Sequence, residues 1–175
     1  MNRSTSPVPS ERPADLSPPD RPEGVLRHAV DEAARLLLAD GAILYMLEAD
    51  GTTLRWECDA GITSEEERAW MRSLALPVGT GMYGKAVAER AVRMTHDYTE
   101  DQSFPHAWMT DQVVRGVGIR SMCVAPLLNG DGVLGALGVY SGRPHAFGES
   151  DAALVRAGRP CRRLRGQRTS HRAAP

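Results

Sequence analysis

Gly79, Gly81 and Gly84 have the spacing of a loop that lets a pyrophosphate approach the N-terminal amides of a helix. That chemistry needs a buried parallel strand directly before the loop. Here Pro77 stands just ahead of it, and the flanking runs pattern as antiparallel hairpins, so the glycines read as a tight turn feeding a helix. Asp97, Glu100 and Asp101 cluster as carboxylates for acid–base work would, but a polar loop produces such clusters as solvated charges. His106 lies among aromatic residues in Ser103-Phe104-Pro105-His106-Ala107-Trp108, where it could be an axial ligand, a ligand contact or an ordinary loop histidine. Cys58, Cys123 and Cys161 are an odd number with no close pair, which argues for reduced thiols over a disulfide framework or a cysteine zinc site. No two of His28, His96, His106, His145 and His171 stand four apart, so a helical zinc site is not expected. A nucleophilic enzyme needs a base positioned beside Ser or Cys, and no motif supplies one.

The elements that must position these groups follow from pattern. With 175 residues, 42% hydrophobic and 25% charged, and a formal net charge of −1, the chain has the make-up of one globular domain with tails. It exerts no bulk electrostatic pull on nucleic acid or membrane. No run reaches the roughly 20 apolar residues of a membrane span, and no signal peptide pattern opens the chain, so a cytoplasmic location is expected. Residues 1–22, rich in Pro, Ser, Arg and Asp, read as a disordered leader. From Glu23 to Ala39, Leu26, Ala29, Val30, Ala33, Leu36 and Leu37 recur at helical spacing. Ala42 to Glu48 and Thr53 to Ala60 flank Asp50-Gly51 as a hairpin. Ser64 and Glu67 have capping-box spacing ahead of a short helix, and Lys85 to Arg90 favours another after the glycine turn. Val92 to Met94 reads as a short strand and Thr95 to Trp108 as a long surface loop. Ile119 to Leu128 and Val133 to Ser141 form a second hairpin around Asn129-Gly130-Asp131-Gly132, with Pro126 predicting an edge or bulge late in its first strand. A last helix begins near Ser150. The order helix, hairpin, helix, helix, hairpin, helix is an α+β arrangement.

Three stretches, taken in order, resemble the GAF domain family, most strongly the sensory GAF domains of actinobacterial and other bacterial sensor histidine kinases. They are Val78 to Val87, Gly118 to Leu127, and Gly135 to Ser141 with Pro144, Phe147 and Asp151 following. The resemblance covers about Glu23 to Ala157. It implies a central antiparallel sheet of five or six strands, helices packed on it, and a loop-covered ligand pocket. Carried onto this chain, the pocket would be lined by Phe104, His106, Trp108, Met122, Val124, Val139 and Ser141, and alternation does place Met122 and Val124 on one face of their strand. The bland alternative is that these are core residues. The resemblance further implies a regulatory module without catalysis that binds an unknown small molecule, pairs as a homodimer, or does both, to control a histidine kinase or similar output domain.

Departures from other branches of the family narrow the expectation. The branch that reduces free methionine sulfoxide carries cysteines in the glycine turn and the following loop, where this chain has Tyr83 and no cysteine from Val92 to Gly118. Bilin-binding members attach their chromophore to a cysteine in the same region, and the cyclic-nucleotide signature Asn-Lys-Phe-Asp-Glu does not occur, so bilin and cyclic nucleotide are disfavoured. Haem-binding members place their axial histidine a few residues before the stretch matched by Ile119-Arg120-Ser121. His106 would have to substitute from further away, which disfavours haem as well.

The alternatives held open are a small metabolite-acting enzyme using Asp97, Asp101, His106 or Cys123, a haem-based redox or gas sensor, and a nucleic-acid binder working through the tail. That tail, residues 158–175, carries six arginines and no acid. Gly158 and Pro160 should stop the last helix, where the family usually continues in a long apolar one. The tail thus reads as disordered, as a nucleic-acid contact, or as the product of a frameshift or truncation.

Overall fold

A computed structural model describes residues 22–157. The leader before Pro22 and the arginine-rich tail after Ala157, with the readings placed on them, lie outside the described residues. Among those described, six strands form one antiparallel sheet in the order β3-β2-β1-β6-β5-β4, and five helices pack on it. Helix α1 (Pro22–Leu36) leads into β1 (Gly41–Leu47) and β2 (Thr53–Ala60). Helix α2 (Glu65–Ser73), the short β3 (Ala75–Pro77), α3 (Gly81–Glu89) and β4 (Arg93–Thr95) follow. After a long loop come α4 (Trp108–Val117), β5 (Ser121–Asn129), β6 (Gly132–Ser141) and α5 (Glu149–Ala157).

The sheet separates two cores. One face carries Ala42, Leu44, Cys123, Leu137 and Val139 against Val30 of α1 and Ala152 of α5. The other carries Ile43, Tyr45, Met122, Val124 and Tyr140 against Met71 of α2, Met82 and Ala86 of α3, and Val113 and Val114 of α4. Strand alternation assigns these faces, since neighbours along a strand point oppositely and partners directly across share a side. In β2 the alternation breaks. Leu44 pairs with Cys58 and Tyr45 with Trp56, which leaves Glu57 as an extra residue. The bulge puts Leu54 and Trp56 on the face of Tyr45 while Cys58 and Ala60 join the other core.

The sequence-predicted hairpins and helices are present, with two additions. Strand β3 and helix α4 were not read from residue pattern: β3 is three residues long, and α4 is rich in Val and opens directly from the loop. The first helix ends at Leu36, not Ala39, because Leu38 takes the left-handed backbone conformation (φ 49°). Ser64 caps α2, its Oγ accepting from the Glu67 amide at 3.3 Å, as the capping-box spacing predicts. Pro126 meets both of its expectations. It lies beyond Val124, the last β5 residue that β4 pairs, and the β5–β6 register shifts just after it.

Candidate functional site

The glycine turn is the first piece of the site. Gly79 and Gly81 take positive φ (86° and 62°), and the Gly79 amide donates to the Gly84 carbonyl at 2.8 Å, closing the turn. A Cβ on Gly84 would run into the Pro77 carbonyl. The turn follows β3, which pairs antiparallel with β2, so the parallel strand of a dinucleotide site is not there. What the turn does is start α3 against the sheet and carry Tyr83 inward. Tyr83 Oη donates to the Ile43 carbonyl at 3.2 Å, and its ring lies 4.7 Å from that of Tyr45.

Between this face of the sheet and helices α2, α3 and α4 lies a cavity of about 340 Å³. Its floor is Ile43, Tyr45 and Met122. Its walls are Met71 of α2 and Leu74 just after it, Leu76 and Pro77 of β3, Met82 and Tyr83 of α3, and Met109, Val113 and Val114 of α4. Pro105 and Ala107 of the long loop, and Tyr98 at its start, border it as well. The size and mainly apolar lining are those of a small-molecule site. The four methionines give the wall soft, adaptable groups.

The loop over the cavity is tied at several points. Asp97 holds Arg120 through both carboxylate oxygens, one bond measuring 3.0 Å from Arg120 Nε, and that pairing with the Arg120 guanidinium keeps the Asp97 carboxyl well below the usual carboxylate range. Lys85 Nζ of α3 donates to the Ser103 carbonyl at 2.8 Å. Tyr98 Oη donates to Asp111 Oδ1 at 3.1 Å. Rings of Tyr98, Phe104 and His106 pack together at 5.0–5.2 Å. His106 Nε2 faces the Asp101 carbonyl at 2.8 Å, and Nδ1 faces Asp111 Oδ1 at 3.1 Å. Both nitrogens meet acceptors, which suits the doubly protonated ring. The bond to the Asp101 carbonyl, followed by the Asp111 contact, outweighs desolvation and raises its pKa above that of free histidine.

Of the residues expected at the pocket, the structure brings only Met122 to the cavity wall. Val124 shares its face but is sealed in the core beside it. Phe104 is buried within the loop and His106 is exposed in it, both packed on Tyr98 without lining the cavity. Trp108 is 66% exposed at the start of α4. Val139 and Ser141 are corrected. Met122 pairs with Tyr140, and Cys123 with Val139, so Val139 and Ser141 point to the opposite face, where Ser141 Oγ donates to Asp40 Oδ2 at 2.7 Å. The resemblance had put Val139 and Ser141 at the pocket; on β6 they stand one residue off the cavity face, and a one-residue offset moves a side chain to the other side of the sheet. Tyr45, Met71, Met109, Val113 and Val114 were missed. For α4 a signal existed, since Met109, Val113 and Val117 stand four apart.

Groups suspected of catalysis are engaged elsewhere. Cys123 is fully buried on the far face, where burial pushes its thiol up to about 12, and burial likewise pushes Cys58 to about 11. With both imidazole nitrogens bound by protein acceptors, His106 does not offer a free nitrogen to a haem iron. Among the described residues, no cluster of three metal-ligating side chains occurs, and no helix is long and apolar enough to cross a membrane.

Comparison with known proteins bears on the family and the fold. The profile of the GAF domain matches residues 21–157. A domain of a two-component sensor histidine kinase protein from Sinorhizobium meliloti is similar in structure, with 20% identity, coverage of 83% of this chain and 89% of that one, and a TM-score of 0.62. The GAF-B domain of DevS from Mycobacterium smegmatis is 26% identical over 78% of this chain and 86% of its own, with a TM-score of 0.58. Free methionine-R-sulfoxide reductase from Neisseria meningitidis, solved with its substrate, is 18% identical over 77% and 72%, with a TM-score of 0.60. No curated protein matches the chain in sequence.

Proposed function

The chain belongs to the GAF domain family, and on that premise we propose that it is a non-catalytic sensory module, binding a small molecule in the cavity and controlling an output partner such as a histidine kinase. The carrying observation is the mainly apolar, partly open cavity between the sheet and α2, α3 and α4, bordered by a loop tied down at Asp97, Lys85 and His106. A ligand there touches the sheet on one face, while α1 and α5, whose exposed Leu36 and Leu154 offer apolar surface, pack on the other. A ligand that favours one arrangement of loop and sheet would bias the helices across that sheet, in a homodimer or against a partner, by its difference in affinity for the two states. The sensor histidine kinase domain among the structural neighbours supports such a partnership. A cytoplasmic setting fits that role.

Catalysis is the rival reading, because reductases share the fold. Against it stand the cavity lining, which holds no cysteine, and the far-face burial of Cys58 and Cys123. Native mass spectrometry and absorption spectroscopy of the untagged full chain test the proposal. A retained small-molecule mass that disappears in Thr110→Trp, which fills the cavity rim, is the expected result. Turnover of free methionine-R-sulfoxide with a thiol reductant would replace the sensory reading with the enzymatic one.

A further inference from the structure

The cavity wall contains no Asp, Glu, Lys, Arg or His side chain. A full charge brought into it would give up hydration for thioethers, aliphatic groups and rings, with no counter-charge in contact. The wall is not wholly apolar, however. Three of the four tyrosines in the chain have protein acceptors: Tyr83 on the Ile43 carbonyl, Tyr98 on Asp111, and Tyr140 on the Ala60 carbonyl at 3.4 Å. Tyr45 is only 3% exposed and lines the cavity, and its hydroxyl has no partner among the described residues. Burial alone raises its pKa, with no charge or hydrogen bond contributing. The fully buried unpaired side-chain polar atoms among the described residues are Trp56 Nε1 and Thr95 Oγ1; the Tyr45 hydroxyl is not one of them, so it stays open to the cavity it lines and is free to donate to a molecule held there.

A second set of donors opens on the same space. Helices α3 and α4 both begin at the cavity, and their N-cap residues, Thr80 and Ala107, make no side-chain cap bond. The first-turn amides of Gly81, Met82, Met109 and Thr110 are therefore left without the acceptor that a capping side chain supplies. These amides, together with the hydroxyls of Thr80 and Thr110, which can donate or accept, border a mainly apolar space without charged side chains.

We infer that the cavity selects an uncharged, mainly apolar molecule carrying one hydrogen-bond acceptor, of carbonyl or ether type, to which the Tyr45 hydroxyl donates. This rests on the cavity being the ligand site, as proposed above, and adds the class of ligand. Amino acids, nucleotides and other ionised metabolites are selected against.

Three probes with one ring body separate the contributions: naphthalene, the neutral ketone 2-acetylnaphthalene, and the anion 2-naphthoate, each titrated against the full chain by ligand-observed NMR. The ketone should bind tightest, about three- to tenfold tighter than naphthalene, the worth of one net hydrogen bond. The anion should bind weakest. In Tyr45→Phe the ketone should fall to the affinity of naphthalene, whose own binding stays unchanged, while Tyr83→Phe, whose hydroxyl serves the Ile43 carbonyl, should leave the ratio intact. Tightest binding by 2-naphthoate would mean that the two helix N-termini dominate, overturning the neutral-ligand inference while leaving the cavity as a ligand site. A ketone-to-naphthalene ratio unaltered in a folded Tyr45→Phe would also overturn it. Failure of all three probes to bind, together with a purified chain that retains no small molecule, would overturn both this inference and the sensory reading beneath it.

Discussion

Gly138 lies in β6 directly beneath Tyr83, and replacing it with alanine tests how the α3 tyrosine is fixed to the cavity side of the sheet. A Cβ built there would stand 2.8 Å from Tyr83 Cζ and 3.1 Å from Val124 Cγ2, and closer still to Tyr83 Oη. Neither neighbour can retreat easily. Val124 is fully buried, and Tyr83 is held at its tip by the Ile43 carbonyl and on its face by Tyr45. Overpacking of this kind costs about 1–3 kcal/mol, and dislodging the Tyr83 hydrogen bond adds about 1 kcal/mol, so Gly138→Ala should destabilise by roughly 2–4 kcal/mol. Tyr83→Phe alone removes the hydroxyl and should cost about 1 kcal/mol. Because the hydroxyl is the atom the new methyl strikes hardest, the double variant should be less destabilised than the sum of the two, by at least about 1 kcal/mol. Urea unfolding of the four proteins, with equal m-values as a check on two-state behaviour, gives the coupling directly. Strict additivity would refute the placement of Tyr83 over Gly138, and with it the shape assigned to the cavity floor.

Three other expectations can be checked at less effort. In a Cys161→Ser background, the native protein should resist iodoacetamide at pH 8, and Cys58 and Cys123 should label only in denaturant, as buried thiols with pKa near 11 and 12 would. The His106 pKa is raised in the folded state, so its contribution to closing the loop is fully present below about 6.5 and is lost as pH rises through the folded value. Amides of residues 101–111 should thus exchange more slowly at pH 5.5 than at pH 8 after correction for intrinsic rates, and His106→Gln should abolish that difference. Asp59 is fully buried on the cavity side of β2 with Arg68 of α2 at 3.2 Å, whereas Arg72 meets Glu65 at the surface. Arg68→Gln should therefore lower Tm clearly more than Arg72→Gln, because it strands a buried carboxylate.

How far the site was legible depends on the range of the signal. Turn and cap chemistry is local, so the Asp50-Gly51 hairpin, the Ser64 cap and the glycine turn into α3 stand where residue types put them. Face assignment is not local. In β6 the run from Val133 to Ser141 is apolar on both sides, because helices cover both faces of the sheet, and a strand buried on both faces carries no alternation from which to read its phase. Val139 and Ser141, carried to the pocket by the family resemblance, therefore met no contrary signal in the residue pattern, and the pairing of Met122 with Tyr140 is what puts them on the other face. In β2 the alternation itself is interrupted, since the extra residue Glu57 decides that Trp56 joins Tyr45 while Cys58 does not, and nothing in the residue types around it announces a bulge. The cavity floor stayed hidden by the same logic. Tyr45 reads as an ordinary strand aromatic until Tyr83, nearly forty residues on, is seen to take the neighbouring carbonyl of Ile43 while the Tyr45 ring lines a space without charged side chains.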